Sequence, residues 1–416
     1  MAKLALIILS TFIFVGDLRA GSIVLQSKKL PTAMFNCSDI GFIEIFVDDD
    51  NNTFIRVTVK RQNPHGTHFL YSNSGWISLR QYGGLWNAFI QDGNFLLACK
   101  KDETISIYKV QKKIELVSRI GIKSLDDRFR SSSVHIIPIQ EPGKSYCLLI
   151  SRWCSPVHPV EFLKGFLSGG HGIAYWKPFL TEVQDEKLAK SRKLHYGSKV
   201  DESYYIRQVL PHGNLVHFLG FRRQEEPDWE LAKSEHEPEI LHHVAYNLKK
   251  KKVVQTNAIC TKTPKIEIDK NSETSYGPLS IDALGNNVFV AFSWVEERIK
   301  PRPTPLSNIK STIFYWQYND GVAGDVEEIA DGFAPLVKVD SSGNVHVLWV
   351  DKNTRLVHKS KRNDKWSKET ILVNNLYVDQ RVVAGGYVSA EFDKGDNLHV
   401  VYPSGGTLVH SVLKVN

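Results

Sequence analysis

The sequence predicts an all-β protein that folds as a single β-propeller. The main observation is a phrase that recurs along the chain, at Pro278–Phe292, Pro335–Trp349 and Ser389–Tyr402. Each copy reads as a strand, a tight turn of Asp, Gly or Asn residues, and a second strand in which large apolar residues alternate with smaller ones. Repeats of about 40–50 residues with this pattern are typical of propeller blades.

The copy that contains Asp340 shows the content of one repeat most clearly. Its four predicted strands are A at Pro335–Asp340, B at Asn344–Val350, C at Arg355–Lys361 and D at Trp366–Leu372. The segments between them are rich in Ser, Gly, Asn and Asp, which tolerate turn conformations. The alternation in strands B and C suits a sheet that packs against a neighbour on both faces.

The same pattern is found in further segments with decreasing clarity. We predict a seven-bladed propeller, and six or eight blades are also compatible with the pattern. The predicted blades lie at about Phe42–Leu79, Leu85–Val110, Val134–Phe179, Tyr204–Leu248, Tyr276–Ile329, Pro335–Leu372 and Tyr387–Lys414.

The beginning of the chain has the features of a secretory signal peptide. Lys3 precedes an apolar run from Leu4 to Val15, and Ala20 provides a small residue at a plausible cleavage point. We therefore predict a signal peptide at 1–20, a propeller domain at 21–416 and a secreted, extracellular protein. An uncleaved anchor is the alternative, although no later segment reads as a membrane span.

A short β-like segment, Ser22–Ser27, belongs to none of the predicted blades. The last blade ends after its C strand, at Asn416, and therefore lacks an outer strand. We expect Ser22–Ser27 to supply it, because a ring closed by both chain ends leaves no open sheet edge to protect.

In a secreted protein, two sequons could be glycosylated and the cysteines could form disulfides. Asn36 and Asn51 begin Asn-x-Ser/Thr tripeptides and are predicted glycosylation sites, although chance tripeptides explain them equally well. The odd number of cysteines suggests one or two disulfides and a leftover thiol. No Cys-x-x-Cys motif occurs, so we predict neither a metal site nor a cofactor. The cysteines are Cys37, Cys99, Cys147, Cys154 and Cys260.

The formal net charge of +7 favours acidic partners such as sulfated or uronic-acid glycans. The basic residues are not concentrated enough to indicate nucleic-acid binding, and a secreted protein would rarely meet nucleic acid.

Long connections between predicted strands indicate where the protein acts. Three connections between strands B and C are extended, at about Cys154–His171, Arg223–Pro238 and Glu296–Lys310, and a long exit follows at Thr181–Ser203. In a four-stranded meander, the B–C and D–A connections emerge on the same face. Long loops in a compact domain are usually functional, although neutral drift of surface loops would produce the same pattern.

The extended connections contain residues suited to sugar recognition. Aromatic rings stack on the apolar faces of sugars, and Arg binds carboxylates and sulfates in a fork. An alternative for Trp153 and Trp176 is ordinary packing between blades. The candidate ligand-binding residues are Trp153, His158, His171, Trp176, Arg222, Arg223 and Trp229.

The Asp-x-x-Gly spacing at Asp282 and Asp340, followed by alternating Val, His and Leu, resembles the repeats of secreted sialidase-like (BNR, Asp-box) propellers. The resemblance covers Tyr276–Asn416. Such propellers include sialidases, polysaccharide lyases and non-catalytic lectins, so it implies a fold and leaves the activity open. The strict Ser-x-Asp-x-Gly-x-x-Trp box and an arginine triad are missing, which disfavours a sialidase. His346 and His399 occupy equivalent repeat positions, which favours a structural role.

We therefore predict a binding protein for an acidic or neutral glycan, or for an extracellular protein, acting through the loops of blades 3–5. The alternative is a lyase that cleaves uronic-acid glycans, with His158, His171 and Tyr205 as acid and base candidates and Arg222 neutralising the uronate. A purely structural extracellular protein would also fit.

Overall fold

The computed structural model describes most of the chain. The described residues are 22–32, 34–59, 67–73, 75–82, 84–91, 93–101, 104–111, 113–121, 131–141, 144–154, 175–184, 187–188, 192–193, 203–223, 240–260, 272–298, 308–378 and 385–415. For residues 131–205 and for Arg222 and Arg223 the description concerns the backbone.

The described strands form seven antiparallel sheets, numbered here in the order of their innermost strands. The first strand of the chain is β1 (Ser22–Leu30). Sheet 1 contains β2 (Ile40–Val47), β3 (Thr53–Val59), β4 (Thr67–Ser72) and β5 (Gly75–Ser78). Sheet 2 contains β6 (Gly84–Gln91), β7 (Asn94–Lys101), β8 (Thr104–Val110) and β9 (Ile114–Gly121). Sheet 3 contains β10 (Ser131–Glu141), β11 (Lys144–Cys154), β12 (Tyr175–Gln184), β13 (Lys187–Leu188) and β14 (Arg192–Lys193).

The remaining sheets follow the same order. Sheet 4 contains β15 (Ser203–His212), β16 (Leu215–Arg223), β17 (Ile240–Asn247) and β18 (Lys252–Cys260). Sheet 5 contains β19 (Ser272–Leu284), β20 (Asn287–Arg298), β21 (Lys310–Asn319), β22 (Val322–Ala323) and β23 (Glu327–Asp331). Sheet 6 contains β24 (Phe333–Val339), β25 (Val345–Val350), β26 (Leu356–Arg362), β27 (Lys365–Trp366) and β28 (Thr370–Val373). Sheet 7 contains β29 (Ser389–Phe392), β30 (Asn397–Ser404), β31 (Thr407–Val415) and β1. Two 3-10 helices lie at Cys37–Asp39 and Leu79–Tyr82.

The sheets are arranged as an all-β propeller, which confirms the predicted fold class. Each sheet contacts the next one in chain order, and β29 of sheet 7 contacts β2 of sheet 1, so the ring is closed. The 3-10 helix Leu79–Tyr82 lies at the junction of sheets 1 and 2, where it contacts β4, β6 and β7. The core lies between neighbouring sheets, where Trp316, Trp349 and Tyr315 are the largest fully buried side chains.

The predicted closure of the ring by both ends of the chain is confirmed. The strand β1 pairs antiparallel with β31, from Ser22 opposite Val415 to Leu30 opposite Leu408, and a bulge interrupts the ladder at Leu25. The outer edge of β31 is thereby covered, which removes a row of unpaired backbone groups.

The turns between the first two strands of three sheets share one hydrogen-bonded unit, which is present in two of the three copies of the repeated phrase, whereas Asp282 of the third copy accepts from the backbone N–H of Val339 in the next sheet. In the turn after β24, Asp340 Oδ1 accepts from the backbone N–H of Ser342 at 3.0 Å and of Asn344 at 2.8 Å. Asp340 Oδ2 accepts from Asn344 Nδ2 at 2.8 Å. The turns Asp48–Asn52 and Asp393–Asn397 are held in the same way. A carboxylate that satisfies several N–H groups stabilises such a turn.

One expectation about sheet 3 is wrong. We expected the segment Thr181–Ser203 to be a long exit loop, but β12 continues to Gln184, and β13 and β14 both pair with β12. Part of the segment therefore forms the outer edge of the sheet. These edge strands are two residues long and rich in lysine, a pattern too short and too polar to read as a strand.

Candidate functional site

The B–C and D–A connections of every sheet leave from one face of the ring, which we call the loop face; the opposite face is called the turn face. The extended B–C connections span the gaps after Cys154, Arg223 and Arg298. The flanking strands meet there, with Cys154 opposite Tyr175 and Glu296 opposite Lys310. Three consecutive sheets therefore carry long connections on the loop face, whereas residues 155–174, 224–239 and 299–307 of these connections lie outside the described residues.

The backbone register brings some of the predicted site residues together. Trp153 lies directly opposite Trp176 at the loop-face end of sheet 3. In sheet 4, Arg222 lies opposite Tyr204 on one neighbouring strand and opposite Ile240 on the other. Arg223 and Tyr205 are the adjacent residues on these strands. The remaining predicted residues, His158, His171 and Trp229, lie outside the described residues.

The two sequon asparagines lie on opposite faces of the ring and are both exposed. Asn36 precedes the 3-10 helix Cys37–Asp39, in the connection from β1 to β2 on the loop face. Asn51 lies in the first turn of sheet 1, on the turn face, with a φ angle of 61°. Both side chains are accessible, and their glycosylation stays a prediction.

Two of the cysteines, Cys37 and Cys99, are poorly suited to act as nucleophiles. Cys37 and Cys99 are buried free thiols, and burial raises the pKa of Cys37 to about 11 and that of Cys99 to about 12. A thiol needs to ionise to act as a nucleophile. Cys147 and Cys154 are seven positions apart on β11, too far along one strand to form a disulfide with each other.

Sheets 6 and 7 each contain an Asp–His–His chain that faces the next sheet. In sheet 6, His346 Nε2 lies 3.4 Å from Asp340 Oδ2, and His346 Nδ1 lies 3.0 Å from His358 Nε2. Because a carboxylate only accepts, His346 Nε2 carries the proton, and His358 Nε2 then donates to His346 Nδ1. Sheet 7 repeats the chain with Asp393, His399 and His410 at 3.3 and 3.1 Å. The His346 ring packs 5.0 Å from the ring of Phe392, on sheet 7.

Burial lowers the pKa of three of these histidines, His346, His358 and His410, and so favours their neutral forms. It lowers the pKa of His358 to about 3, where the neighbouring His346 acts in the same direction, and that of His410 to about 4. Burial raises the pKa of Asp340, but hydrogen bonds from Asn344 and His346 together outweigh it and leave the pKa below its usual value. His346 and His358 are almost fully buried. These chains connect strands inside the wall of the ring, which is the structural role expected from their repetition.

Sheet 4 has a related pair. His217 Nδ1 lies 3.0 Å from His243 Nε2, and His243 Nδ1 lies 3.2 Å from Asn257 Nδ2. The His243 ring contacts Trp316 and Tyr318 of sheet 5. Burial lowers the pKa of His217 to about 4 and that of His243 to about 3, so this pair is also neutral at physiological pH.

Charged side chains connect the innermost strands of sheets 5, 6 and 7. Lys338 Nζ donates to Glu391 Oε2 at 2.7 Å, and Asp282 Oδ2 accepts from the backbone N–H of Val339 at 2.9 Å. Burial alone would lower the pKa of Lys338, but Glu391 and Asp282 outweigh it and raise that pKa. Burial raises the pKa of Asp282. Since these charges satisfy one another, they tie neighbouring strands together.

A different polar group lies between sheets 1 and 2, and we call it the Glu44 cluster: Phe42, Glu44, Arg56, Thr58 and His68. Glu44 and Arg56 form an ion pair directly across β2 and β3. The Arg56 guanidinium lies 5.8 Å from the centre of the Phe42 ring, and Thr58 Oγ1 lies 3.1 Å from His68 Nδ1.

The Glu44 cluster faces sheet 2. Phe46 and Phe54 lie on the same side of sheet 1, further toward the turn face, and both pack against Phe95 of sheet 2, at 5.0 and 4.4 Å between ring centres. Alternation along a strand then places Glu44 and Phe42 on that side as well, with Phe42 nearest the loop face.

The Glu44 cluster is only partly closed to solvent. Phe42 is 37% exposed, and the side chains of Glu44 and Arg56 are 30% and 12% exposed. Arg56 Nε is buried and has no hydrogen-bond partner within the described part of the chain. Burial raises the pKa of Glu44, opposed by the charge of Arg56, and burial lowers the pKa of His68 to about 4.

This cluster was not predicted from the sequence, because Glu44 and Arg56 are separated by a turn in the weakest repeat. The turn Asp48–Asn52 could have revealed it, because it has the same Asp-to-Asn spacing as Asp340–Asn344. Aligning β2 and β3 on this turn places Glu44 opposite Arg56.

Within the described ranges, no three His, Cys, Asp or Glu side chains come together as a set of metal ligands. Among the same residues, no helix has the length and apolar character needed to cross a bilayer.

Comparisons with known proteins concern the fold. No protein-family model matches the chain, and no curated protein matches it. The α-L-arabinanase of Penicillium chrysogenum complexed with arabinobiose aligns at 8% identity with a TM-score of 0.42, over 95% of this chain and 98% of that chain. The polysaccharide lyase Uly1 aligns at 9% identity with a TM-score of 0.48, over 90% of each chain. The β-propeller domain of the Trilobed protease from Pyrococcus furiosus aligns at 10% identity with a TM-score of 0.41, over 90% of this chain and 97% of that chain.

Proposed function

We propose that this chain is a secreted seven-bladed propeller that binds an extracellular glycan on its loop face, above sheets 3–5. The observation that carries the proposal is the position of the three longest B–C connections on the same face of three consecutive sheets. Long connections concentrated on one end of a rigid scaffold are where binding sites are usually built.

The contrast with the turn face supports this choice. There, Asp48, Asp340 and Asp393 close tight turns with their own backbone N–H groups, so these carboxylates are already occupied. The loop face instead receives residues that bind sugars elsewhere in proteins. The backbone register brings Trp153, Trp176 and Arg222 to this face, and in other proteins Trp rings stack on sugars and the Arg guanidinium donates to carboxylate or hydroxyl oxygens.

A glycan array tests this proposal. We expect the protein to bind a subset of extracellular glycans, and a His158→Ala/Arg222→Ala double variant to lose about tenfold to hundredfold in affinity, since a hydrogen bond to a charged group contributes about 1.5–3 kcal/mol. Lys249→Ala/Lys250→Ala is the matched control, because these exposed lysines lie in a turn on the opposite face. Unchanged binding by the first variant would contradict the proposed surface, and selective binding to an extracellular protein would replace the glycan as the ligand.

A second candidate function is lyase activity on uronic-acid glycans. It is favoured by the position of Arg222 directly opposite Tyr204 and beside Tyr205 at the loop-face end of sheet 4. In this reaction a base removes the proton α to the uronate carboxylate, an acid protonates the leaving glycosidic oxygen, and a double bond forms in the sugar. His158, His171 or Tyr205 would transfer the protons, while Arg222 would neutralise the carboxylate.

Incubation with oligouronates distinguishes the two functions. A lyase produces unsaturated sugars, seen as a rise in ultraviolet absorbance that Tyr205→Phe abolishes. Binding without such a rise identifies a non-catalytic protein.

A further inference from the structure

The Glu44 cluster differs from the other polar groups inside the ring, because it combines an exposed aromatic ring with an ion pair that is partly reachable from solvent. Phe42 is 37% exposed, whereas His346, His358 and His399 of the Asp–His–His chains in sheets 6 and 7 are buried. A partly exposed Phe ring offers a face on which a sugar ring can stack, and charged groups beside it offer donors and acceptors to the sugar hydroxyl groups.

We propose that Phe42, Glu44 and Arg56 form a contact site for one pyranose ring of a neutral oligosaccharide, at the loop-face opening between sheets 1 and 2. This proposal rests on the glycan-binding function proposed above and adds a second site, between sheets 1 and 2, to the one proposed above sheets 3–5. The Phe42 ring stacks against the C–H face of the sugar. Glu44 accepts hydrogen bonds from its hydroxyl groups, and the Arg56 guanidinium donates to its oxygens.

The position of the Phe42 ring is set by a diglycine segment. The carbonyl of Gly386 accepts from the backbone N–H of Ile43 at 2.7 Å, which fixes that segment against β2. Gly386 has a φ of +87°, and a Cβ there would lie 2.5 Å from Phe42 Cδ2. At the neighbouring Gly385, a Cβ would lie 2.7 Å from Pro278 of sheet 5. Only glycine allows this close approach, so the ring is held in place before a ligand arrives.

The charges of the cluster favour a neutral sugar over an acidic one. The Arg56 charge is already compensated by Glu44, so a uronate carboxylate would gain little from Arg56 and would be repelled by Glu44. His68 adds no positive charge at neutral pH, because burial lowers its pKa to about 4. Glu44 and Arg56 together offer acceptors and donors, which match the alternating hydroxyl groups of a neutral sugar.

The packing also argues that the ion pair is not kept for stability alone. Arg56 Nε is buried without a hydrogen-bond partner in the described part of the structure, and leaving a buried donor unsatisfied is destabilising. A partly buried ion pair is itself weak support for a fold, and an apolar pair would fill the same space. Polar groups that a fold tolerates at a cost are often the ones a ligand uses.

Titration calorimetry of the full chain with cellohexaose, chitohexaose and hexagalacturonate tests the proposal. We expect a neutral hexasaccharide to bind, Phe42→Ala and Glu44→Gln each to lower its affinity about tenfold, and hexagalacturonate to bind at least tenfold more weakly. Tyr377→Ala is the matched control, because Tyr377 is a 45% exposed aromatic residue in another connection on the loop face. The affinity of this variant for the hexasaccharide should stay within twofold of the wild-type value.

Phe42→Leu guards against a general loss of structure, since it keeps apolar volume but removes the ring. We expect it to unfold at about the wild-type temperature and still to bind about tenfold more weakly. Wild-type affinity in both Phe42→Leu and Glu44→Gln would overturn the site while leaving glycan binding intact, especially if Arg222→Ala then reduces binding. Failure of the wild-type chain to bind any of these sugars would overturn the site and count against the glycan-binding function together.

Discussion

Two polar groups buried between neighbouring sheets differ in how completely the protein satisfies them. Between sheets 6 and 7, Asp340, His346 and His358 form a continuous hydrogen-bonded chain that also closes a turn. Between sheets 1 and 2, Glu44 and Arg56 pair with each other, but Arg56 Nε has no partner in the described residues and Phe42 is partly exposed.

This difference distinguishes polar side chains that stabilise the fold from polar side chains that are available to bind a ligand. Both groups lie on the side of a sheet that faces the next sheet, so position alone does not distinguish them. A satisfied chain contributes stability, because removing one member leaves buried donors unpaired. A group that remains accessible and incompletely paired contributes less to stability and is available to a ligand. Substitutions in the first group should therefore change unfolding, and those in the second should change binding.

The largest expected effect is that of Asp340→Ala. It removes the acceptor of two backbone N–H groups, of Asn344 Nδ2 and of the His346 ring, so the free energy of unfolding should fall by about 3 kcal/mol. Urea unfolding at pH 7 measures it. Asp340→Asn serves as the control and should lose less, because its amide oxygen still accepts. Sugar affinity should remain unchanged, and a selective loss of affinity would break the distinction between the two groups.

The second expectation concerns pH. The folded-state pKa of His358, about 3, lies below the usual value of 6.5, so its neutral form stabilises the fold above pH 6.5 and that stability is lost as the pH falls toward 3. When the pH falls from 6.5 to 5, the free energy of unfolding should decrease by on the order of 2 kcal/mol, because the Asp340–His346–His358 chain keeps its histidines neutral in the folded state. Unfolding curves at the two pH values measure the loss, and His358→Leu should flatten it by about that amount. An equally steep loss in the variant would show that other groups cause the acid sensitivity.

The third expectation uses the Glu44 cluster. Burial raises the pKa of Glu44, so the ionised carboxylate needed for hydroxyl contacts should begin to be lost at a higher pH than for an exposed glutamate. Binding of the neutral hexasaccharide should weaken on acidification by about 1 kcal/mol, roughly fivefold, while the protein remains folded. Affinity measured against pH gives the midpoint. Glu44→Gln should bind weakly at every pH, and a wild-type-like decline in that variant would assign the titration to another residue.

The smallest expected effect is that of Tyr377→Ala. Tyr377 is 45% exposed, and its backbone N–H donates to the carbonyl oxygen of Pro403, a hydrogen bond that the substitution keeps. The free energy of unfolding should change by no more than about 0.5 kcal/mol, as for other surface substitutions. Thermal unfolding beside the binding titration checks both properties. A large loss of sugar affinity here would show that exposed aromatic residues across the whole loop face contribute, which would weaken the special role of Phe42.

The sequence predicted the propeller because its turns carry their own signature. In the turns at Asp340 and Asp393, an Asp four positions before an Asn closes the loop with local bonds, so a short phrase contains most of the information. The closing strand β1 could be predicted because one blade lacked its outer strand. Local patterns of this kind survive in a single sequence.

The Glu44 cluster could not be predicted in the same way. Glu44 and Arg56 become neighbours only through the β2–β3 register, and the Phe42 ring packs closely against Gly386 from the other end of the chain. Likewise, the pairing of Trp153 with Trp176 depends on a strand that begins at Tyr175 rather than at the expected Gly172. Contacts of this range depend on how sheets meet, which periodicity alone does not specify.

Backbone hydrogen exchange with and without the hexasaccharide that binds most tightly tests the central claim, that the protein acts through its loop face. We expect ligand to slow exchange in the extended connections of sheets 3–5 and near Phe42, while the Asp48–Asn52, Asp340–Asn344 and Asp393–Asn397 turns exchange as before. Protection confined to those turns would contradict the account, because it would place the ligand on the face whose polar groups the fold already occupies.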